Sequence, residues 1–226
     1  MVEVYAIQTI IENEFLKFRE ELISKLPPFS QKLINKYKRT KDVQRSLLGE
    51  LLTRSILSKK LKIPAEQVII EKSEKGKPYL VNNNDLHFNI SHSGDWVVAA
   101  FASIEVGIDI EKIKPVNFRI AERFFSKEEF AALEKKAKKE KLDFFFDLWT
   151  LKESYLKLLG KGLTKSLSSF TVIELNRKFS LKENMEDDMH EVFFKQYQID
   201  KDYTLSVCSF SDKFCEELKI LNFMDL

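Results

Sequence analysis

The amino-acid sequence predicts an α+β fold, because strand patterns and helix patterns alternate along one chain. The β-branched stretch 2–11 is typical of an opening strand. Apolar residues recur every three or four positions over 42–61 and again over 143–159, which predicts two long amphipathic helices. Two further strand patterns follow at 192–199 and 203–210.

A repeated order of elements indicates two halves. A strand, helices and a pair of strands occur once before about residue 103 and once after it, and the stretches DWVVAAFAS (95–103) and DYTLSVCSF (202–210) hold similar places. We therefore expect two similar halves, 1–103 and 104–226, packed together because no low-complexity linker separates them. A crevice between the halves would be the natural ligand site.

Composition excludes several classes of protein. With 226 residues, 44% of them hydrophobic and 19 of them Phe, the chain can bury a sizeable core. Lys and Arg total 37 against 35 Asp and Glu, so no lopsided charge suggests nucleic-acid binding. Cys208 and Cys215 are too few for a disulfide framework, which fits the cytoplasm. Neither a secretory leader nor an apolar run of roughly 18 residues is expected, so no membrane insertion is predicted.

Helical spacing and helix breakers locate the helices. The first helical pattern stops at Pro27-Pro28, because proline cannot continue a helix. Asp42 stands where it would cap the second long pattern, and Gly160 closes the last one. The helices predicted in this way span 12–26, 42–61, 118–125, 127–141 and 143–159.

The middle of the chain predicts a small antiparallel meander. Strand patterns at 86–91, 96–102 and 106–110 are separated by short loops, and the turn EKGKP (74–78) precedes them. Apolar and polar residues alternate along the first of these strands, so Ser91 leaves it on the polar face.

The segment GIDIE (107–111) is the first of three that suggest chemistry. Residues two apart in a strand share a face, so Asp109 and Glu111 project together while Ile108 and Ile110 enter the core. Such a pair is most often an exposed edge strand whose acids aid solubility. A half-buried carboxylate pair must instead hold a proton or bind a cation, and a hard divalent cation is the simpler resolution.

The second segment, WTLKESYLKLLGKG (149–162), places Glu153 and Lys157 four residues apart on one face of a helix. The common interpretation of such a pair is a surface ion pair. Trp149 lies one turn before Glu153, and a tryptophan is costly to expose, so this helix face is expected to be partly buried. Glu153 could then be the third acid of a metal site, with Lys157 meeting an anion beside it.

The third segment, FNISHSGDWVVAAF (88–101), joins two strand patterns through Ser91, His92, Ser93 and Gly94. Hydroxyls, an imidazole and a permissive backbone suit phosphate oxygens. A hairpin turn with a solvated His92 is the alternative. We interpret the other two histidines, His87 and His190, as structural.

Together these segments resemble the Sfp-type 4′-phosphopantetheinyl transferases. The resemblance rests on the three segments above with RFFSKEEF (123–130), GKP (76–78) and RSLLGELLTRS (45–55), in the order and at the intervals of the family. It runs from the first strand to about residue 210. It implies a pseudo-dimer of two α+β halves with the active site between them. It also implies transfer of the 4′-phosphopantetheine arm of coenzyme A to a serine of a carrier protein, leaving adenosine 3′,5′-bisphosphate.

The resemblance further implies roles for individual residues. The magnesium carboxylates of the family correspond to Asp109, Glu111 and Glu153, and its phosphate-contacting histidine and lysine to His92 and Lys157. The coenzyme A site would be lined by Arg45 and Ser46 toward the 3′-phosphate, by Lys77 and Pro78 near the adenine, and by Ser91. The basic residues that relatives place before the 3′-phosphate site have no clear counterpart in 27–41.

The residues and the resemblance together suggest displacement at the β-phosphorus of a pyrophosphate, where the protein mostly positions groups and stabilises charge. His92 and Lys157 would offset negative charge on the pyrophosphate. Glu153 is the candidate base for the serine hydroxyl, with Glu129 as the alternative.

The partners expected from the family are coenzyme A, Mg²⁺ and an acidic, helical acyl or peptidyl carrier protein, docked after Gly160 from Leu163 to about Phe170. The carrier could be of the peptide-synthetase, polyketide or fatty-acid type. The chain is expected to be a monomer, with no nucleic-acid or membrane partner. Two rival functions stay open, a non-catalytic coenzyme A or nucleotide-binding module and a metal-dependent phosphohydrolase.

Overall fold

A computed structural model describes residues 1–160, 162, 165–175, 178–183 and 191–226. The α-helices in these ranges are α1 (Glu12–Ser24), α2 (Pro28–Ile34), α3 (Thr40–Leu61), α4 (Arg119–Phe124), α5 (Lys127–Lys135) and α6 (Lys141–Leu159). The strands are β1 (Glu3–Gln8), β2 (Ile70–Lys72), β3 (Pro78–Leu80), β4 (His87–Ser93), β5 (Trp96–Ala102), β6 (Val106–Lys112), β7 (Phe170–Leu175), β8 (Lys178–Glu183), β9 (Phe193–Tyr197), β10 (Tyr203–Ser209) and β11 (Lys219–Leu221).

Two main sheets repeat one topology. The first has the strand order β11-β1-β5-β4 and the second has the order β6-β10-β9. In the first sheet β5 pairs antiparallel with β1 and β4, and in the second sheet β10 pairs antiparallel with β6 and β9. The repeated stretches 95–103 and 202–210 therefore contain the corresponding strands β5 and β10. This confirms the predicted α+β fold of two similar halves.

The sheets pack face to face, with a long helix behind each. Side chains alternate along β1. Val4 and Ala6 pack in a core cluster that contains residues of both sheets, while Tyr5 and Ile7 pack in a second cluster with residues of α3. On the far side of the second sheet, buried residues of α6 form a separate cluster with Cys208 of β10. None of the helices in the described ranges combines the length and apolar character that a membrane span requires.

The last segment of the chain returns to the first half. Strand β11 pairs in parallel with β1, and the backbone N–H of Cys215 donates to Val2 O at 2.8 Å. Phe223 packs against the helices of the first half. The predicted boundary between 103 and 104 lies in the turn between β5 and β6. The last part of the chain after this boundary, which contains β11, packs against the first half.

The predicted meander is wrong at its third strand. Strand β6 does not extend the sheet of β4 and β5 but forms an edge of the second sheet, beside β10. The short loop after β5 suggested that β6 pairs with β5. Instead β6 pairs with β10 in an antiparallel ladder from Lys112 to Val106.

The helix limits also differ in detail from the prediction. Helix α3 starts at Thr40 with Arg39 at its N-cap, and Asp42 forms an ion pair with Arg45 (2.6 Å) instead of capping. Helix α5 ends at Lys135, short of the predicted residue 141. Helix α2 begins at Pro28, because a proline in the first turn of a helix loses no hydrogen bond. The small hairpins β2–β3 and β7–β8 complete the fold.

Replacing Gly107 by alanine is expected to destabilise the chain by about 3 kcal/mol, because β6 and α6 touch there through their backbones. An added Cβ would lie 2.0 Å from Ser154 O and 2.4 Å from Leu158 N, and backbone atoms cannot yield as a side chain can. Urea unfolding measures the effect. Gly49→Ala is the control, because its Cβ would lie 3.5 Å from two flexible side chains and alanine favours a helix by about 1 kcal/mol. An equal loss of stability in Gly107→Ala and Gly49→Ala would contradict the close backbone contact between β6 and α6.

Candidate active site

Side chains of β4 join the two sheets where their edges meet. Three residues of β4, each two positions apart and therefore on one face, accept hydrogen bonds from alternate backbone amides of β6. The bonds run from Ile108 N to Asn89 Oδ1 (3.0 Å), from Ile110 N to Ser91 Oγ (3.4 Å) and from Lys112 N to Ser93 Oγ (3.1 Å). Small polar side chains thus replace backbone pairing between the halves, and this explains the two hydroxyls of the SHS sequence.

The connection between β4 and β5 is shorter than predicted. His92 and Ser93 belong to β4 and lie opposite Val97 and Trp96, so only Gly94 and Asp95 form the turn. Gly94 has a φ of +55°, and a Cβ there would come 2.2 Å from the Tyr203 hydroxyl. The prediction that His92 and Ser93 lie in the connection is therefore wrong, whereas Ser91 lies on β4 as the strand pattern predicts.

Asp109 is the centre of the site and is 5% exposed. Its Oδ1 accepts a hydrogen bond from Ser91 Oγ at 2.9 Å and an ionic hydrogen bond from Lys157 Nζ at 2.7 Å. Lys157 Nζ also donates to Ser91 Oγ at 2.8 Å. Lys157 is thus held by a residue of the other half and by β6, which rules out the simple surface pair of Glu153 and Lys157.

Glu111 lies on the same face of β6 as Asp109, as the strand pattern predicts, while Ile108 and Ile110 are fully buried. Ser93 Oγ donates to Glu111 Oε2 at 2.7 Å. Each of the two carboxylates therefore accepts a hydrogen bond from a serine of β4.

Glu153 completes the acidic group from α6. Burial raises the pKa of Glu153, the charge of Asp109 raises it further, and Lys157 lowers it in part. Burial also raises the pKa of Glu111, against the hydrogen bond from Ser93, and the charge of Asp109 adds to the rise. The structure thus brings the charges of the three predicted acids together, around Lys157.

The three carboxylates fit a cation but are not assembled around one. Among the described residues, no three His, Cys, Asp or Glu side chains surround a point where a metal ion could bind as they stand. Asp109 Oδ2, however, is buried without a hydrogen-bond partner in the part of the chain that the structure describes. A buried carboxylate oxygen normally has a partner, and an oxygen-only donor set suits Mg²⁺. The residues present therefore fit this ion chemically.

A positive group lies beside the acids. Arg45 donates from Nη1 to Gly94 O at 3.2 Å, and its Nε is buried with no partner among the residues described. His92 is solvent-accessible, but partial burial of its ring lowers its pKa, and the positive charges of Arg45 and Lys157 lower it further. Ser46 follows Arg45 on α3 and is half-buried. The neutral imidazole of His92 and the cations Arg45 and Lys157 therefore lie close together.

Lys77 connects the two halves in a structural role. Its Nζ donates to Leu158 O at 2.9 Å, near the C-terminal end of α6, and forms an ion pair with Glu105. A cation at a helix C-terminus is favourable. Pro78 opens β3 and is half-buried. The coenzyme A contacts predicted for these two residues stay predictions. His87 is structural as expected, with Nδ1 3.1 Å from Glu105 Oε1.

Glu129 is not available as a base. It is 3% exposed, and both of its oxygens lie 2.7 Å from Nζ of Lys152, which is itself fully buried. The same carboxylate accepts backbone N–H groups of Val172 (2.7 Å) and Ser126 (2.8 Å). The alternative assignment is therefore wrong. The S-x-x-E spacing from Ser126 to Glu129 is a capping-box signature that could have indicated this role.

The predicted carrier-docking run is only partly described. Leu167 and Phe170 are buried in the core of the second half, so they are not part of a docking surface. Ser166, Ser168 and Ser169 are exposed. Leu163 and His190 lie outside the described residues.

Comparison with known protein families agrees with this fold. The family described as "4'-phosphopantetheinyl transferase superfamily" matches residues 105–208, and the family described as "4'-phosphopantetheinyl transferase, N-terminal" matches residues 16–104. The fold and the matches define a transferase made of two related halves.

Curated relatives match over most of the chain. 4′-Phosphopantetheinyl transferase Sfp of Bacillus subtilis (strain 168) is 37% identical over 92% of this chain and 92% of its own length. The ffp enzyme of Bacillus subtilis is 40% identical over 80% and 81%, and the gsp enzyme of Aneurinibacillus migulanus is 43% identical over 72% and 71%. The chain therefore belongs to the 4′-phosphopantetheinyl transferases, with the Sfp enzyme among its relatives.

Proposed function

We propose that the chain transfers the 4′-phosphopantetheine arm of coenzyme A to a serine of an acyl or peptidyl carrier protein, with Mg²⁺ as the metal ion. The observation that carries this proposal is the site between the halves. There Lys157 contacts Ser91 and Asp109, and Asp109 Oδ2 has no partner among the residues that the structure describes. Such a site combines groups for phosphate with groups for a divalent cation. We further propose a monomer in the cytoplasm, consistent with the free thiols of Cys208 and Cys215.

In the proposed reaction, the carrier serine oxygen forms a bond to the β-phosphorus of coenzyme A. The bond from that phosphorus to the bridging oxygen breaks, and adenosine 3′,5′-bisphosphate leaves with the oxygen. Glu153 takes the serine proton, directly or through a water. Lys157 and His92 bind the pyrophosphate oxygens and offset their charge as the bond breaks.

Asp109, Glu111 and Glu153 are the residues that would hold Mg²⁺, whose charge would stabilise the phosphate oxygens. Asp109 would offer the ion its Oδ2, which has no hydrogen-bond partner among the described residues, and Lys157 would turn from Asp109 Oδ1 to phosphate. Arg45 and Ser46 would bind the 3′-phosphate, and Lys77, Pro78 and Ser91 would line the rest of the coenzyme A site.

The test is incubation of the purified chain with coenzyme A and Mg²⁺, with and without a panel of apo carrier proteins, followed by mass spectrometry. A mass gain on a carrier supports the proposal and identifies the kind of carrier. Cleavage of coenzyme A without a carrier would instead indicate a phosphohydrolase. Binding of coenzyme A with neither reaction would indicate a non-catalytic module.

Lys157→Ala is expected to weaken coenzyme A binding at least about tenfold, because a charge-assisted hydrogen bond to phosphate is lost. Calorimetric titration with coenzyme A measures this effect, and thermal unfolding measures stability. The matched control is Lys141→Ala on the same helix, where the ammonium forms an exposed ion pair with Glu134 at 2.8 Å. Unchanged affinity in Lys157→Ala would leave Lys157 with only its structural pairing to Asp109.

A further inference from the structure

We propose that Ser93 is a positioning residue, whose hydroxyl holds the Glu111 carboxylate in the orientation that the site requires. This inference rests on the proposed function, because Glu111 is there one of the three residues that would hold Mg²⁺. It assigns a task to Ser93 that is separate from binding coenzyme A.

The hydroxyl of Ser93 has a fixed direction. Its oxygen accepts the backbone N–H of Lys112 at 3.1 Å, so its single proton is available to Glu111 Oε2 at 2.7 Å. Among the described residues, this is the one hydrogen bond that reaches the Glu111 carboxylate. Asp109, by contrast, is held by both Ser91 and Lys157. Glu111 therefore depends on one serine for its orientation.

The position of Ser93 is itself fixed from both sides. On one side, Ser91 and Asn89 hold the earlier residues of β4 against β6 in the same way. On the other side, the turn after Ser93 is attached to the second half, because Asp95 N donates to the Tyr203 hydroxyl at 2.8 Å and Asp95 Oδ2 lies 3.0 Å from Lys112 Nζ. A hydroxyl on so constrained a backbone can orient its partner.

Loss of this hydroxyl would leave the Glu111 side chain free to rotate. Groups that orient metal ligands commonly change metal affinity or activity by about 10- to 100-fold when removed. We therefore expect Ser93→Ala to weaken binding of Mn²⁺, used as a paramagnetic probe in place of Mg²⁺, by about tenfold. The concentration of Mg²⁺ that half-saturates transfer should rise by a similar factor.

Asn89→Ala is the matched control. Both substitutions leave one backbone amide of β6 without its acceptor. Within the described ranges Asn89 hydrogen-bonds no carboxylate, so Ser93→Ala removes a bond to a side chain of the acidic group and Asn89→Ala does not. Asn89→Ala should lower the unfolding midpoint and leave Mn²⁺ affinity unchanged. Ser93→Thr keeps the hydroxyl and should restore most of the affinity. If Asn89→Ala does not fold, the Mn²⁺ affinities of Ser93→Ala and Ser93→Thr are compared instead, and equal affinities would overturn the proposal.

Electron paramagnetic resonance of free Mn²⁺, with coenzyme A present, separates the outcomes. Unchanged affinity in Ser93→Ala overturns the proposal, as do equal losses in Ser93→Ala and Asn89→Ala, or a native chain that binds no Mn²⁺. A native chain whose Mn²⁺ affinity depends on Ser93 but which modifies no carrier supports the positioning role and overturns the proposed transfer.

Discussion

Glu153→Gln is expected to lower the rate of transfer by about two to four orders of magnitude while the chain stays folded. Glutamine has nearly the shape of glutamate but can neither accept the serine proton nor carry negative charge. Glu153 is half-buried and faces the charges of Asp109 and Glu111, and among the described residues no side chain donates a hydrogen bond to it. Its removal therefore breaks no contact that holds the fold.

Stability should even rise slightly in this variant at neutral pH. The pKa of Glu153 is raised in the folded chain, so its ionised form is less favourable there than in the unfolded chain. Above the unfolded-state pKa of about 4.3, ionisation of this group therefore opposes folding, and glutamine removes that opposition. Below that pKa the Glu153 carboxyl is protonated in the folded and the unfolded chain alike. The difference in stability between the native chain and Glu153→Gln should then vanish.

Carrier modification, followed by mass spectrometry, and thermal unfolding at neutral and acid pH are the two measurements. Glu128→Gln is the control, because Glu128 is exposed and forms a surface ion pair with Lys182. Full turnover in Glu153→Gln would refute its roles as base and as metal ligand alike.

Lys152→Met is expected to cost about 4 kcal/mol of the free energy of unfolding, the largest stability effect that we anticipate. The substitution leaves the Glu129 carboxylate buried without its cation, and it removes the hydrogen bond from Lys152 Nζ to Phe170 O (2.7 Å). Since Glu129 also accepts two backbone N–H groups, the buried pair connects α5, α6 and β7. Breaking one partner of such a pair is costly because the other is left charged in the interior.

Urea unfolding measures this loss. Lys182→Met is the control, because its pair with Glu128 is exposed and a surface ion pair contributes less than about 1 kcal/mol. The double variant with Glu129→Leu should recover part of the loss, since no charge remains buried. A cost in Lys152→Met no greater than in Lys182→Met would mean that the pair contributes little to stability.

The sequence predicted best what depends on neighbouring residues. The periodicities of α3, α6, β4 and β5 are local, and the structure places these elements within a few residues of their predicted positions. The partner of β6 could not be read in the same way. Strand pairing depends on contacts distant in the chain, and the nearer strand was the wrong choice.

The same difference between local patterns and distant contacts applies to the predicted site residues. Asp109 and Glu111 were placed correctly on one face of β6, because strand alternation alone determines it. The buried pair of Glu129 depends on Lys152, which lies far from it in sequence, so Glu129 was considered as an alternative base. The bond from Lys77 to Leu158 O is equally distant in the chain and could not be predicted from the sequence. The resemblance to a family located the segments, but it did not show which of their side chains hold the protein together.

The return of β11 to β1 limits how this molecule can move. The chain passes from the first half to the second and back again, so that a hinge-like separation would have to peel a strand from a sheet as well as break the contacts between the halves. A wide, clam-like opening is therefore disfavoured. Substrates should reach the acids by local rearrangement, with Lys157 changing partners while the two sheets stay in place.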